Sequence, residues 1–220
     1  MIPKEILSRS IVPLNPYDIS SRALAIMEEI KVSHLPIVNN GEYVGLISEN
    51  DIFDLNTPDE IVDNHHLSIN RPYITLDKHI FDAVKLASEH QLTVIPVLDE
   101  KNKYVGVITL PALVGCIANI SAFSNPGGII VLEMGIHDYS LSEIAQIIES
   151  NEAKVLSLFI NTSNDTMKME VTIKVNKTDI GAILQTFHRY DYIVTASFDE
   201  ADYSEDFRDR LESFYNYMNI

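Results

Sequence analysis

The stretch Gly45-Leu46-Ile47-Ser48-Glu49-Asn50-Asp51 decides the fold of this chain, because it recurs in altered form near the middle of the sequence. The second copy is GVITLPA, residues 106–112. Both copies end an apolar, β-branched run with a hydroxyl residue, Ser48 or Thr109. Only the first copy keeps a carboxylate, Asp51, three residues later, whereas the second has alanine. The two copies therefore share a structural pattern but not the same chemistry.

The similarity extends over a unit of about 60 residues, a length typical of a repeated structural module. ALAIMEEIKVSHLPIVNNGEYVGLISENDIF from residue 23 aligns with AVKLASEHQLTVIPVLDEKNKYVGVITLPALV from residue 83. Each copy has helical periodicity, followed by two short apolar runs around a turn, which is Asn-Gly in the first copy. Each unit therefore predicts helix, strand, turn, strand and helix. Since one unit has too little apolar surface for a core, we expect the two to pack with pseudo-twofold symmetry.

The pattern changes after the Ser-Asn-Pro-Gly-Gly cluster at 124–128, a composition typical of a boundary. The following residues predict the order βαββαβ, with Ser140 capping the first helix, and this order is the ferredoxin-like arrangement. The tail is acidic and then amphipathic, which predicts a docked helix. The predicted fold class is α/β (α+β), with repeat 1 at 1–64, repeat 2 at 65–124, the ferredoxin-like domain at 127–198 and the C-terminal helix at 199–220.

Charge and composition exclude several classes of function. The net charge is −16, from 32 acidic and 16 basic side chains, so a nucleic acid would be repelled over most of the surface. No apolar run approaches the roughly 20 residues that span a bilayer, and no signal peptide is recognisable. We therefore expect a cytoplasmic protein without a membrane or nucleic-acid partner. The single cysteine, Cys116, lies in an apolar run and is expected to be buried.

The sequence carries no recognisable catalytic or metal-binding motif. G-x-S-x-G, P-loop and H-E-x-x-H patterns are missing, so we expect no enzyme and no catalytic residues. The pair His65-His66 is the one histidine cluster, and no second cluster with ligand spacing follows it. We therefore expect a solvated linker there and no metal site.

The two repeats resemble a tandem pair of CBS domains, a Bateman module, whose signature strand ends in G-h-h-S/T-x-x-D. Residues 45–51 match the whole signature, and residues 106–109 match its first half. The βαββαβ domain resembles an ACT domain. The combination is similar to acetoin-utilisation (AcuB-like) CBS–ACT proteins and covers essentially the whole chain.

This resemblance implies a non-catalytic regulatory protein, a homodimer, that passes a signal to an unknown protein partner. It implies no obligatory cofactor but a regulatory ligand, an adenine nucleotide such as AMP, ADP, ATP or S-adenosylmethionine. Ser48 and Asp51 would contact ribose and phosphate, Thr109 could touch a phosphate, and two backbone segments would frame the ligand. The implied ligand-binding residues are Val12, Pro13, Leu14, His34, Leu35, Pro36, Ser48, Asp51 and Thr109.

Three alternatives remain open on the residues alone. Asp51 could cap the helix that follows it instead of contacting a ligand. The CBS pair could then be a dimerisation scaffold that binds no nucleotide. An amino-acid sensor acting through the ACT-like domain is the third possibility, although serine stands at Ser140 and Ser142 where such domains carry glycine, and a side chain there crowds a ligand.

Overall fold

The computed structural model describes residues 3–55, 60–120, 122–162 and 167–199. The chain divides into two compact units, Met1–Ile117 and Ala118–Ile220. The predicted C-terminal helix and the predicted turn at 163–166 lie outside the described residues.

The first unit contains the two repeats, and each has the predicted order of helix, hairpin and helix. The first repeat comprises α1 (Ser20–Ile30), β1 (His34–Asn39), β2 (Glu42–Ser48) and α2 (Glu49–Leu55). The second comprises β3 (Ile74–Thr75), α3 (Ile80–His90), β4 (Val94–Leu98), β5 (Tyr104–Thr109) and α4 (Leu110–Ile120).

The two hairpins have similar backbone geometry, including a shift in register at the equivalent position. In the first hairpin, Asn40 and Gly41 form the turn with φ of 48° and 81°, values that suit a two-residue hairpin loop. The register of β1 against β2 shifts between Ile37 and Val38, and that of β4 against β5 shifts between Val97 and Leu98. The repeat seen in the sequence is therefore also a repeat of backbone geometry.

In each repeat a short extended segment precedes the first helix and pairs in parallel with the hairpin. Leu14 bridges to Ile37 in the first repeat, and Ile74 pairs with Val97 in the second. The segments before the two helices therefore occupy equivalent places. The first unit has one buried apolar core drawn from both repeats, including Ala23, Met27, Leu35, Ile47, Ala83, Ala87, Val94, Ile95, Val107 and Ile108.

Helix α1 begins without a side-chain cap. The N-cap residue is Ile19, which has no side-chain capping bond, although Asp18 and Ser20 are the residue types that favour this role. Asp18 instead accepts from the Asn15 backbone and pairs with Arg22. The Ser20 hydroxyl donates to the Glu60 carbonyl at 2.8 Å. Both side chains are therefore engaged elsewhere.

The second unit is the predicted βαββαβ domain. Its elements are β6 (Ile129–Gly135), α5 (Leu141–Ser150), β7 (Val155–Thr162), β8 (Lys168–Val175), α6 (Gly181–Arg189) and β9 (Ile193–Phe198). The strands form one sheet in the order β7-β8-β6-β9, and every neighbouring pair is antiparallel. Alternate residues of β6 and β8 are buried with the inner faces of the two helices in a second apolar core. The Ser140 hydroxyl caps α5 by accepting from the Glu143 amide, as predicted.

Candidate functional site

The hydroxyl and the carboxylate of the first motif hydrogen-bond to each other's backbone. Ser48 ends β2, and Asp51 lies in the first turn of α2. The Ser48 amide donates to Asp51 Oδ2 at 2.8 Å, and the Asp51 amide donates to Ser48 Oγ at 3.1 Å. This reciprocal pair is the geometry of a capping box, which satisfies two amides at the start of a helix.

The second carboxylate oxygen of Asp51 is also engaged. The Ser68 amide, in the linker between α2 and β3, donates to Asp51 Oδ1 at 3.0 Å. The Asp51 side chain is only 4% exposed. Burial raises its pKa, but the hydrogen bonds from Ser48 and Ser68 outweigh that effect and hold the pKa below the usual aspartate value. Asp51 therefore caps α2 and fastens the linker, and its contact with a ribose remains a prediction.

The linker between the repeats is fixed by a buried histidine. His65 is 6% exposed, its Nδ1 lies 3.0 Å from the Asp51 carbonyl oxygen, and its Nε2 lies 2.6 Å from Ser20 Oγ. The expectation of a solvated His65-His66 pair is therefore wrong for His65, whereas His66 is exposed. Both partners of His65 are distant in the sequence, so no local pattern could have predicted its burial.

A cavity of about 440 Å³ opens beside this motif. Of the predicted site residues, His34 and Ser48 line it. Its wall also contains residues of the linker and of the second repeat that the sequence analysis did not select. We call this cavity the Ser48 cleft; its lining residues are Ser33, His34, Ser48, Glu49, Asn50, Ser68, Ile69, His90, Gln91 and Thr93.

The side chains of several other predicted residues point into the core or into solvent. Leu14 and Leu35 are buried, at 1% and 0% exposure, and Val12 is 64% exposed. Leu14 donates its amide to the Pro36 carbonyl at 2.8 Å, which places the two predicted backbone segments side by side. Any contact of Pro13 and these residues with a ligand would therefore come chiefly from backbone groups, and it remains a prediction.

The second copy of the motif keeps a hydroxyl but lacks the carboxylate and the histidine of the first. Thr109 Oγ1 accepts from the Ala112 amide at 3.4 Å, so the hydroxyl half of the capping arrangement persists without a carboxylate. In the repeat alignment Val94 takes the place of His34, and it is fully buried. The polar groups predicted to contact a ligand are therefore concentrated in the first copy.

Neither metal-binding clusters nor membrane helices were found in the part of the chain that the structure describes. Within it, no three or more His, Cys, Asp or Glu side chains are grouped so that they could hold a metal ion. No helix among the described residues has the length and apolar character needed to cross a membrane. Cys116 is buried, as expected.

Comparison with known proteins agrees with this architecture. The family model described as "CBS domain" matches residues 4–56 and 66–119. The chain contains a tandem CBS domain pair. The CBS domain-containing protein YhcV of Bacillus subtilis is 27% identical over 130 residues, which are 55% of this chain and 89% of YhcV. MJ1232 of Methanocaldococcus jannaschii is 29% identical over 103 residues, 46% of this chain but only 34% of that relative.

Among solved structures, a CBS domain pair/ACT domain protein from Thermotoga maritima, TM0892, matches with a TM-score of 0.49 and 21% identity. The match covers 54% of this chain and 98% of the Thermotoga chain. The match of the family model to residues 4–56 and 66–119 confirms the tandem CBS pair predicted from the two repeats.

Proposed function

We propose that the CBS pair is a non-catalytic regulatory module that binds one adenine nucleotide in the Ser48 cleft. The observation that carries this proposal is the cleft itself, because it joins His34 and Ser48 of one repeat to Thr93 of the other. A ligand bound there would contact both repeats, so its affinity would depend on their relative positions. Such dependence is what a regulatory ligand requires.

The size and lining of the cleft suit a nucleoside. Its volume of about 440 Å³ lies within the roughly 300–1,000 Å³ that small-molecule sites occupy. Hydroxyl, amide and imidazole groups line it, from Ser48, Asn50, Gln91 and His34. These groups both donate and accept hydrogen bonds, as recognition of a ribose and a purine requires.

The negative charge of the cleft predicts an order of affinity among the adenine nucleotides. Glu49 lines the cavity, Asp51 is buried behind it, and the lining among the described residues has no lysine or arginine. A triphosphate would meet carboxylates without a compensating cation, at a free-energy cost that rises with each added charge. We therefore propose that S-adenosylmethionine, whose sulfonium is positive, and AMP bind more tightly than ATP.

Asp51 would bind the nucleotide by exchanging one of its hydrogen-bond partners. A ribose hydroxyl that donates to Asp51 Oδ1 would replace the Ser68 amide at that oxygen. Ser68 and Ile69 also line the cleft, so the ligand would displace the linker segment that separates the repeats. This displacement would be the structural signal passed to a protein partner.

The βαββαβ domain is proposed to be ACT-like and to support homodimerisation. Ser140 occupies the start of α5, where its hydroxyl accepts from the Glu143 amide. That amide is therefore not free to bind an amino-acid carboxylate. This contact favours an assembly role for the domain over amino-acid sensing.

Calorimetric titration tests the proposed ligand. We expect AMP and S-adenosylmethionine to bind wild type, with ATP weaker. Ser48→Ala should weaken binding about five- to tenfold, which corresponds to one net hydrogen bond of about 1–1.5 kcal/mol. Thr109→Ala is the matched control from the second copy and should leave the affinity unchanged. Equal losses in the two variants would contradict a site in the first copy.

One observation favours a second function, that of a scaffold without a nucleotide. Both oxygens of Asp51 already accept backbone amides, so the structure has no need of a ligand there. A thermal-shift measurement with AMP, ADP, ATP and S-adenosylmethionine separates the two functions, because a ligand that binds the folded state raises the melting temperature. No shift with any of the four would establish the scaffold.

A further inference from the structure

The imidazole of His34 is held by a residue of the other repeat. His34 Nδ1 lies 3.1 Å from Thr93 Oγ1 and accepts from the Thr93 backbone amide at 3.4 Å. Thr93 Oγ1 in turn accepts from the Ser33 amide at 3.0 Å. His34 and Thr93 are 59 residues apart in sequence, so these contacts join the two repeats.

These contacts determine which ring nitrogen carries the proton. A backbone N–H can only donate, so the Nδ1 atom that faces it presents a lone pair. Thr93 Oγ1 accepts from Ser33, and its own hydroxyl hydrogen is free to donate to the same Nδ1. Every contact is satisfied if His34 is neutral and protonated on Nε2. A protonated Nδ1 could donate to Thr93 Oγ1 but would leave the Thr93 amide without its acceptor.

The remaining polar atom of the ring is available to a ligand. His34 Nε2 has no hydrogen-bond acceptor among the described residues. It is also not one of the fully buried side-chain atoms that lack a partner in that part of the chain. His34 lines the Ser48 cleft. With Nδ1 turned to Thr93, the ring can present only Nε2–H to a molecule in the cleft.

We propose that His34 is a specificity-determining residue that offers a neutral N–H donor to the ligand, with Thr93 as its positioning residue. The inference rests on the proposed function, since it names what the nucleotide must present. That group is an acceptor atom, a ribose or phosphate oxygen or a purine nitrogen, and it needs no negative charge. The second repeat has Val94 at the matching position, so this donor occurs once.

The surroundings of His34 agree with a neutral ring. Burial lowers the pKa of His34, against the opposing influence of Asp51 and then Glu49. His90 is the other ionisable side chain that lines the cleft with His34 and Glu49. A hydrogen bond to the neutral form of a histidine, such as the one from the Thr93 amide, also disfavours the charged form.

Nitrogen NMR of isotope-labelled protein tests the protonation state without any ligand. His34→Gln assigns the resonances, since only the His34 signals disappear from that spectrum. At about pH 7, where an ordinary histidine is mostly neutral, Nε2 should be protonated and Nδ1 should not. Protonation of Nδ1, alone or together with Nε2, would overturn the inference.

AMP titration tests the role of Thr93 through a double-mutant cycle. Thr93→Val should weaken AMP binding about fivefold, the worth of one net hydrogen bond. Thr93→Ser retains the hydroxyl and should restore binding. In the His34→Gln background, Thr93→Val should change affinity by less than about twofold, because the residue acts through His34. Additive losses would refute the positioning role. If AMP fails to bind wild type, the proposed function fails, and the NMR result alone decides the state of His34.

Discussion

Replacement of Asp51 by alanine should destabilise the CBS unit by about 2–4 kcal/mol. The carboxylate accepts two backbone amides, Ser48 at 2.8 Å and Ser68 at 3.0 Å. Hydrogen bonds to a charged group contribute about 1.5–3 kcal/mol each, and the buried Ser48 amide would lose its partner entirely. Ser68 is exposed, so water can replace its partner and the second loss is smaller.

Two further variants distinguish the effect of the Asp51 charge from the effect of its hydrogen bonds. Asp51→Asn keeps one acceptor oxygen but turns an amide donor toward the other backbone N–H, so we expect roughly half the loss. Asp54→Ala removes an exposed carboxylate from the same helix and should stay within about 0.5 kcal/mol of wild type. A loss in Asp54→Ala equal to that in Asp51→Ala would show that net charge, not capping, is responsible.

The assay must report on the CBS unit alone, because a chain of two compact units need not unfold in one step. Urea titration followed by amide NMR meets this need through the resonances of the buried strand β4. The same spectra give hydrogen exchange at Ser68, which should be faster in Asp51→Ala. An unfolding free energy within about 0.5 kcal/mol of wild type, with unchanged exchange at Ser68, would show that the two hydrogen bonds of Asp51 do not stabilise the unit.

Two other predictions concern pH and backbone geometry. Because the pKa of His34 is lowered in the folded state, the unfolded chain takes up this proton first, so stability should fall as pH drops below about 6.5. In urea titrations at several pH values, His34→Gln should reduce that fall and the exposed His66→Gln should not; identical profiles would contradict the prediction. Gly106 has φ of 149°, and a Cβ there would lie 2.6 Å from the Ser8 carbonyl oxygen. Gly106→Ala should therefore destabilise by at least about 2 kcal/mol in thermal denaturation, whereas Gly115→Ala, in open space on a helix, should stabilise slightly; the reverse order would be inconsistent with this geometry.

The hairpins and the repeat could be predicted from sequence because their determinants are local. Asn40-Gly41 specifies the turn by its left-handed φ values, and the apolar periodicity specifies which faces are buried. The βαββαβ order follows in the same way from short runs and the cap at Ser140.

The details of the site depend on contacts between distant residues, which no local pattern encodes. The Ser68 amide reaches Asp51 across 17 positions, and His65 reaches Ser20 across 45. Thr93 could have been found, since it aligns with Ser33 in the repeat alignment, but its contact with His34 joins residues 59 positions apart. The sequence therefore predicted the residues of the motif, but it did not predict the distant residues that form hydrogen bonds with them.

Amide chemical-shift mapping with AMP shows whether the CBS pair binds a nucleotide at one site in the first copy. A single asymmetric site predicts saturable shifts at Ser48, Asn50, Ser68 and Thr93, with no shift at Ala112 in the second copy. Shifts of equal size around the second motif, or none in the Ser48 cleft at saturating AMP, would contradict the account.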